Sequence, residues 1–169
     1  KAPRFFEKKW RFDRVEDVFD PVKRAAILMD VPAQERYNLY FTVADCFEEA
    51  ERKLKEQWAI PFDIDGIEIL DVDNPVDSAE RVAVVACQAI GVPFNEVACL
   101  FSGNGVQLFV RTTTPIVAES YFDEVREHYG AICQRINKAL TMANLKGSAD
   151  SSVWSAARLM RFPDTENRK

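Results

Sequence analysis

Two carboxylates end the apolar stretch Trp58-Ala59-Ile60-Pro61-Phe62-Asp63-Ile64-Asp65-Gly66. If this stretch is a strand, its side chains alternate between two faces, so Phe62 and Ile64 point into a core. Asp63 and Asp65 then share the other face, with Cα atoms roughly 7 Å apart. Carboxylates at this spacing can reach one divalent cation, or a pair of cations about 3.5–4 Å apart. An Asp-x-Asp-Gly sequence is also common where a strand enters a turn, so the motif alone leaves both interpretations open.

Charge is distributed unevenly along the chain. Residues 61–80 hold seven acids and no Lys or Arg, and such crowded like charges repel one another unless water or a cation relieves them. Residues 1–24 carry eight Lys or Arg against five acids, and the tail from Arg158 carries four against two. Basic segments at both ends of an acidic middle could hold phosphates beside cation-binding carboxylates.

Composition indicates a globular domain with an ordinary core. The chain has 169 residues, of which 47% are hydrophobic and 29% charged. No apolar run approaches a membrane span and no signal-peptide pattern opens the chain, so we expect no membrane partner. The net charge of −5 argues against a uniformly basic nucleic-acid binder. Four cysteines at separations that fit no zinc site, with the single histidine His128, predict free thiols and no zinc.

The first half of the chain predicts a strand, a helix and a second strand. Residues 37–43 are rich in aromatic and β-branched residues, which favour a strand. Asp45 is predicted to cap a helix that continues to about Gln57, because Glu48 completes a capping box and charged pairs recur at i,i+4. The strand that carries Asp63 follows this helix.

The remaining pattern predicts helices and one hairpin. Helices are expected over 21–29, 75–90 and 119–144, and the apolar runs 97–101 and 106–110 form a hairpin around a Gly-rich turn. The resulting order, β-α-β-α-β-β-α-β, favours an α+β sandwich over a doubly wound parallel sheet.

Four pieces of sequence are candidate functional sites. They are Asp63-x-Asp65, the turn Ser102-Gly103-Asn104-Gly105-Val106-Gln107, Asp150, and Arg158-x-x-Arg161 leading to Asn167-Arg168-Lys169. A Gly-rich turn can bring backbone N–H groups close to phosphate oxygens, and Arg is the usual clamp for them. Each piece also has an ordinary explanation: a strand end, a hairpin turn, a helix cap and a solvated basic tail.

In their order along the chain and in their residues, these pieces resemble the motifs of the archaeo-eukaryotic primase superfamily. The resemblance is closest to the primase–polymerase branch found in phage and plasmid replication proteins. The resemblance spans residues 37–169. It implies one primase–polymerase catalytic domain over 1–169, with residues 1–36 as an N-terminal extension packed on the core. The implied fold is an archaeo-eukaryotic primase-like α+β core, in which helices flank a mixed or antiparallel, RRM-like sheet.

The resemblance also implies an activity: template-dependent nucleotidyl transfer by a DNA primase or DNA polymerase. Asp63, Asp65 and Asp150 would be the catalytic carboxylates and would bind two Mg²⁺ or Mn²⁺ ions. The residues implied to bind nucleotide are Ser102, Gly103, Asn104, Gly105, Gln107, Arg158, Arg161, Asn167 and Lys169.

The implied partners are nucleoside triphosphates and a single-stranded DNA template with its primer. The implied location is the cytoplasm of a bacterium, an archaeon or a phage-infected cell. In the family a helical domain and a helicase often follow the catalytic domain. Because the chain begins at Lys1 and stops at Lys169 without a clear terminus, we expect a fragment of a longer protein with such domains.

Two departures from the family pattern keep alternatives open. Gln107 stands where the family has His, and it offers a neutral amide in place of a protonatable ring. It is a working natural variant, an engineered change, or a sign of a weakened or inactive domain that only binds nucleotide or nucleic acid. Asp164 replaces the usual Gly after Pro163, a change that turn geometry tolerates. A third hypothesis is an unrelated metal-dependent phosphoryl-transfer or phosphate-binding domain that shares only Asp63-x-Asp65.

Overall fold

The computed structural model describes residues 19–31, 40–41, 44–46, 54–71, 73–116, 122–154 and 160–161. The elements are α1 (Pro21–Asp30), β1 (Tyr40–Phe41), β2 (Ala44–Cys46), β3 (Leu54–Asp65), α2 (Pro75–Ile90), β4 (Ala98–Phe101), β5 (Gly105–Ile116), α3 (Phe122–Met142), β6 (Ser148–Ala149) and β7 (Met160–Arg161). The fold class is therefore α+β. None of the helices in the described ranges has the length and apolar character that crossing a membrane requires.

The chain divides into two compact units, which are described separately. Lys1–Phe41 and Leu159–Lys169 form one unit. In it, β1 pairs antiparallel with β7, and Asp20 caps α1 by accepting a hydrogen bond from Lys23 N at 3.0 Å. That bond holds the pKa of the Asp20 carboxyl below its usual value. The predicted helix over 21–29 is thus confirmed.

The second unit, Thr42–Arg158, contains an antiparallel sheet in the order β2-β3-β5-β4, with β6 also paired to β3. Strand β5 pairs with β3 along the length from Gln57 to Asp65. Pro61 is tolerated inside β3 because its carbonyl faces the open side of the strand between β2 and β6, where Tyr129 Oη donates to it at 2.9 Å. The missing N–H of Pro61 faces the same way and removes no ladder hydrogen bond.

Helices α2 and α3 pack on one face of this sheet. Phe62 and Ile64 of β3 are 1% and 0% exposed, and the ring of Phe62 stacks on Tyr129 with centroids 4.9 Å apart. The helices contribute the buried side chains of Ala79, Val82, Ala83, Ala86, Cys87, Cys133, Ile136 and Leu140. Cys87 and Cys133 are free thiols, as expected from the cysteine spacing.

The helix predicted from Asp45 to Gln57 is wrong in every described residue of that range. Asp45 lies in β2 opposite Glu56 of β3, so it is not a helix cap. Charged i,i+4 pairs contribute only about 0.2–0.5 kcal/mol each, and sheet pairing outweighs them. The pairing buries Gln57 to 3% exposure, and its amide Nε2 donates to Ala59 O at 2.7 Å. Residues 47–53 lie outside the described ranges.

The later elements follow the sequence prediction more closely. Helix α2 has the predicted bounds, and Gly91 ends it at φ 92° with its N–H bonded to Cys87 O. The predicted hairpin is confirmed as β4 and β5, but β5 continues to Ile116, well past Val110. In this extra part, Arg111 pairs with Ala59 and Ile116 with Gln57 of β3, and the register shifts between these two pairs. Within the turn, positive φ falls on Gly103 and not on Asn104 or Gly105.

Candidate functional site

Asp63 lies near the end of β3, on the opposite face of the strand from Phe62 and Ile64. Strand alternation places it there because both neighbours are buried against the helices. The side chain is half-buried, and its Oδ1 atom is fully buried. Its partner across the ladder is Gln107 of β5. The Asp63 carboxylate is therefore partly shielded from bulk water.

Asp65 lies two residues further along the same face, where β3 ends. It is exposed, and it pairs with Gly105 of β5. A Cβ atom on Gly105 would lie 2.9 Å from Asp65 Oδ1 and 2.4 Å from Ile64 O. The carboxylate of Asp65 thus occupies the space above Gly105, and any larger residue there would displace it.

Asp150 lies beside Asp63 although the two are distant in sequence. The backbone N–H of Asp150 donates to Asp63 O at 2.8 Å. This bond continues the antiparallel pairing in which Ala149 faces Ile64. The Asp150 carboxylate accepts two hydrogen bonds from Ser152, N to Oδ1 and Oγ to Oδ2, each 2.8 Å long. Asp150 therefore also starts the short turn that follows it, the ordinary role considered for it in the sequence.

Gln107, Asp63 and Asp150 form a row of backbone neighbours. Gln107 of β5 pairs with Asp63 of β3, and Asp150, the residue after β6, donates its N–H to Asp63 O. Gln107 is 7% exposed, and its Oε1 finds no hydrogen-bond partner among the residues that the structure describes. Leaving a buried acceptor unsatisfied costs about 1–3 kcal/mol, so this atom marks a place where a donor or a cation would bind favourably.

The predicted glycine-rich turn lies next to the end of β3. Ser102 N donates to Gly105 O at 2.9 Å, which closes the turn. Asn104 O accepts hydrogen bonds from Gly66 N at 3.1 Å and Ile67 N at 3.3 Å. These two bonds fix the turn against the residues that follow Asp65. The structure therefore brings the turn and the Asp-x-Asp motif together.

Helix α3 is hydrogen-bonded to β3, which carries Asp63, and to β6, which immediately precedes Asp150. Tyr129 Oη donates to Pro61 O of β3, and Asn137 Oδ1 accepts from Ala149 N of β6 at 2.7 Å. Burial raises the pKa of the Tyr129 phenol well above its usual value, and the nearby negative charges of Asp150 and Asp63 add to the effect. Sequence analysis missed both supporting residues, because a helical pattern does not reveal which distant backbone a polar side chain will meet.

The basic part of the predicted site is not described. Arg158, Asn167 and Lys169 lie outside the described residues. Arg161 pairs with Tyr40 through its backbone, and its side chain is outside the description. The assignment of these four residues to nucleotide binding therefore stays a prediction.

The donors gathered around Asp63 are hard oxygen atoms. Within the described ranges no group of three or more His, Cys, Asp or Glu side chains that could hold a metal ion is found. Two carboxylates on one face of β3 and the unmet amide oxygen of Gln107 are nevertheless the ligand types that Mg²⁺ and Mn²⁺ prefer. The chemistry of these donors therefore suits such a cation.

Comparison with known proteins gives no match to a family model, to a curated protein or to a solved structure. The resemblance to primase–polymerase domains therefore rests on the four motifs of the sequence. What the fold adds is the proximity of three of them: the Asp-x-Asp strand, the turn and Asp150.

Proposed function

We propose that this chain is a template-dependent nucleotidyltransferase of the primase–polymerase type. The observation that carries the proposal is the hydrogen bond from Asp150 N to Asp63 O. It joins two of the three acids that the motifs assign to catalysis, and nothing in their local sequence requires them to be neighbours. The register also sets Asp65 on the same strand face, so all three acids belong to one end of the sheet.

The chain's own residues have distinct roles in this proposal. Asp63, Asp65 and Asp150 would hold two Mg²⁺ or Mn²⁺ ions, Asp150 once its carboxylate is released from Ser152. When bound, such ions would supply activation of an attacking 3′-hydroxyl group and stabilisation of the leaving pyrophosphate. The turn Ser102–Gly105 approaches the triphosphate closely because glycine leaves room for it.

The remaining assignments come from the sequence. Arg158, Arg161, Asn167 and Lys169 clamp the triphosphate or the template, since Arg pairs well with phosphate oxygens. The antiparallel sheet with helices on one face supports an archaeo-eukaryotic primase-like core with an RRM-like sheet. Single-stranded DNA is the proposed template, and a helicase with a helical accessory domain is proposed on the same longer chain in the cytoplasm.

A second candidate is a domain that binds nucleotide or nucleic acid without turnover. Two observations favour it. The Asp150 carboxylate is engaged by Ser152 through both of its oxygens, and Gln107 replaces the family's protonatable His. Binding without turnover does not need three carboxylates free to hold cations.

A primer-synthesis and primer-extension assay on single-stranded DNA tests the proposal. Each nucleotide set, ribo and deoxyribo, is supplied with Mg²⁺ or Mn²⁺. The parent is expected to incorporate nucleotides, and Asp63→Asn to lower incorporation by about 100-fold or more, since losing a metal ligand removes several kcal/mol of transition-state stabilisation. The control is Asp73→Asn, an exposed acid of the same acidic segment, which should match the parent.

Two outcomes would contradict the proposed nucleotidyltransferase activity. Equal incorporation by the parent and Asp63→Asn would mean that this carboxylate is not catalytic. Nucleotide or DNA binding by a parent that incorporates nothing under any condition would establish the binding domain instead.

A further inference from the structure

Gln107 is the one buried polar side chain in the described row whose chemistry the proposed roles do not explain. It was predicted to bind nucleotide, and a glutamine does so by donating its amide N–H to phosphate oxygens. The atom that lacks a partner among the described residues is Oε1, which is an acceptor. Phosphate oxygens are acceptors too, so they cannot satisfy it.

The sheet neighbours of Gln107 offer no donor either. On the β4 side its ladder partner is Leu100, and along β5 the residues two positions away on the same face are Gly105 and Phe109. These three have no polar side chain. On the β3 side its partner is Asp63, whose carboxylate only accepts when ionised.

Asp63 and Gln107 are therefore directly opposed across the ladder, and both carry acceptor oxygens. Directly opposed residues in an antiparallel pair have Cβ atoms about 4.5–5.5 Å apart, so the two side chains can reach one common point. A cation within reach of both side chains would satisfy the Gln107 acceptor. Amide oxygens are normal ligands of hard divalent cations.

We propose that Gln107 Oε1 is a ligand of the divalent cation bound by Asp63, so that an amide oxygen and a carboxylate from adjacent strands form one site. This inference rests on the proposed function and assigns Gln107 to the cation and not to the triphosphate. A neutral ligand adds no negative charge, so the site keeps a net positive charge toward the nucleotide.

Mn²⁺ binding to the nucleotide-free protein tests this inference without relying on activity. Titration is followed by electron paramagnetic resonance of free Mn²⁺ and by calorimetry. Gln107→Leu keeps the volume and removes the acceptor, and it should weaken Mn²⁺ binding by about 10–100-fold. Gln107→Glu keeps an oxygen at the same reach and should bind Mn²⁺ at least as tightly as the parent. The control is Gln88→Leu, an exposed glutamine on α2, which should not change the affinity.

Mn²⁺ affinity in Gln107→Leu within twofold of the parent would overturn the inference. So would a Gln107→Glu variant that binds Mn²⁺ normally but loses nucleotide binding in the presence of EDTA, because that pattern identifies an amide N–H that contacts phosphate. If Gln107→Leu does not fold by circular dichroism, Gln107→Met replaces it with the same expectation.

The outcome is separable from that of the proposed function. If Asp63→Asn also leaves Mn²⁺ affinity unchanged, the cation site itself fails. If Asp63→Asn abolishes binding and Gln107→Leu does not alter it, only the role of Gln107 fails.

Discussion

The contact between Gly105 and Asp65 predicts that a single added methyl group will disturb both stability and the candidate site. In Gly105→Ala, the new Cβ atom would lie 2.4 Å from Ile64 O, 2.9 Å from Asp65 Oδ1 and 3.2 Å from Asp65 Cα. The nearest atom belongs to the backbone of the paired strand, so it cannot rotate away. Either β5 moves away from β3 or the strands lose their pairing at this end.

The size of the effect follows from this overlap. The closest contact is about 1 Å shorter than ordinary van der Waals distance allows, and overpacking of this kind costs about 1–3 kcal/mol. For a chain of this size that corresponds to a fall in Tm of about 2–12 °C. The Asp65 carboxylate would also be displaced from its place above residue 105, so Mn²⁺ affinity should fall along with stability.

Urea unfolding and thermal unfolding measure the stability term. The matched control is Gly130→Ala in α3, where an added Cβ meets nothing within 4 Å. That variant should be more stable than the parent by about 0.5–1 kcal/mol, because alanine favours a helix interior. If Gly105→Ala were as stable as Gly130→Ala and bound Mn²⁺ like the parent, Gly105 would not be needed for the position of Asp65.

Two further predictions concern the supports of the site. Asn137→Ala should destabilise the fold by about 1–3 kcal/mol in urea unfolding, because the Ala149 N–H loses its acceptor. Asn137→Asp keeps an acceptor and should recover most of this loss. Equal stability of the parent and both variants would contradict the role of this hydrogen bond. Burial raises the pKa of the Cys87 and Cys133 thiols from 9.0 to about 11. As the pH rises, these thiols therefore ionise in the unfolded chain before they ionise in the folded protein. The free energy of unfolding should be unchanged below pH 9 and fall between pH 9 and about 11. Urea unfolding across that range measures the fall, which Cys87→Ala should reduce; a parent and a variant with the same pH dependence would refute the contribution of this thiol.

Local chemistry was enough to predict some elements. Helix α2 begins at Pro75 and ends before Gly91, two residues whose backbone preferences fix those bounds. The β4–β5 hairpin was predictable because two apolar runs flank a Gly-rich turn. The alternation around Asp63 likewise predicted which side chains would face the helices.

Other features depend on partners that are far away in sequence. The charged residues after Asp45 have a helical pattern, yet Asp45 pairs with Glu56 in a sheet because tertiary pairing outweighs weak local preferences. The end of β5 beyond Val110 contains polar Thr residues with no apolar alternation, and its pairs with β3, at Arg111 and Ile116, are made with residues distant in sequence. The lack of a partner for Gln107 Oε1 depends on which residues surround it in the fold, and a single sequence does not identify those neighbours.

The alignment of Gln107, Asp63 and Asp150 depends on the buried side chains on the opposite face of the sheet. A slip of β5 against β3 by a single position would turn Gln107 toward the helices and expose Leu108, which is 0% exposed in the native register. Burial of the apolar face therefore fixes the register that aligns the polar face. Conservative substitutions of Leu108 or Ile64, which face the helices, should therefore alter the chemistry of the opposite face of the sheet even when they are too mild to unfold the protein.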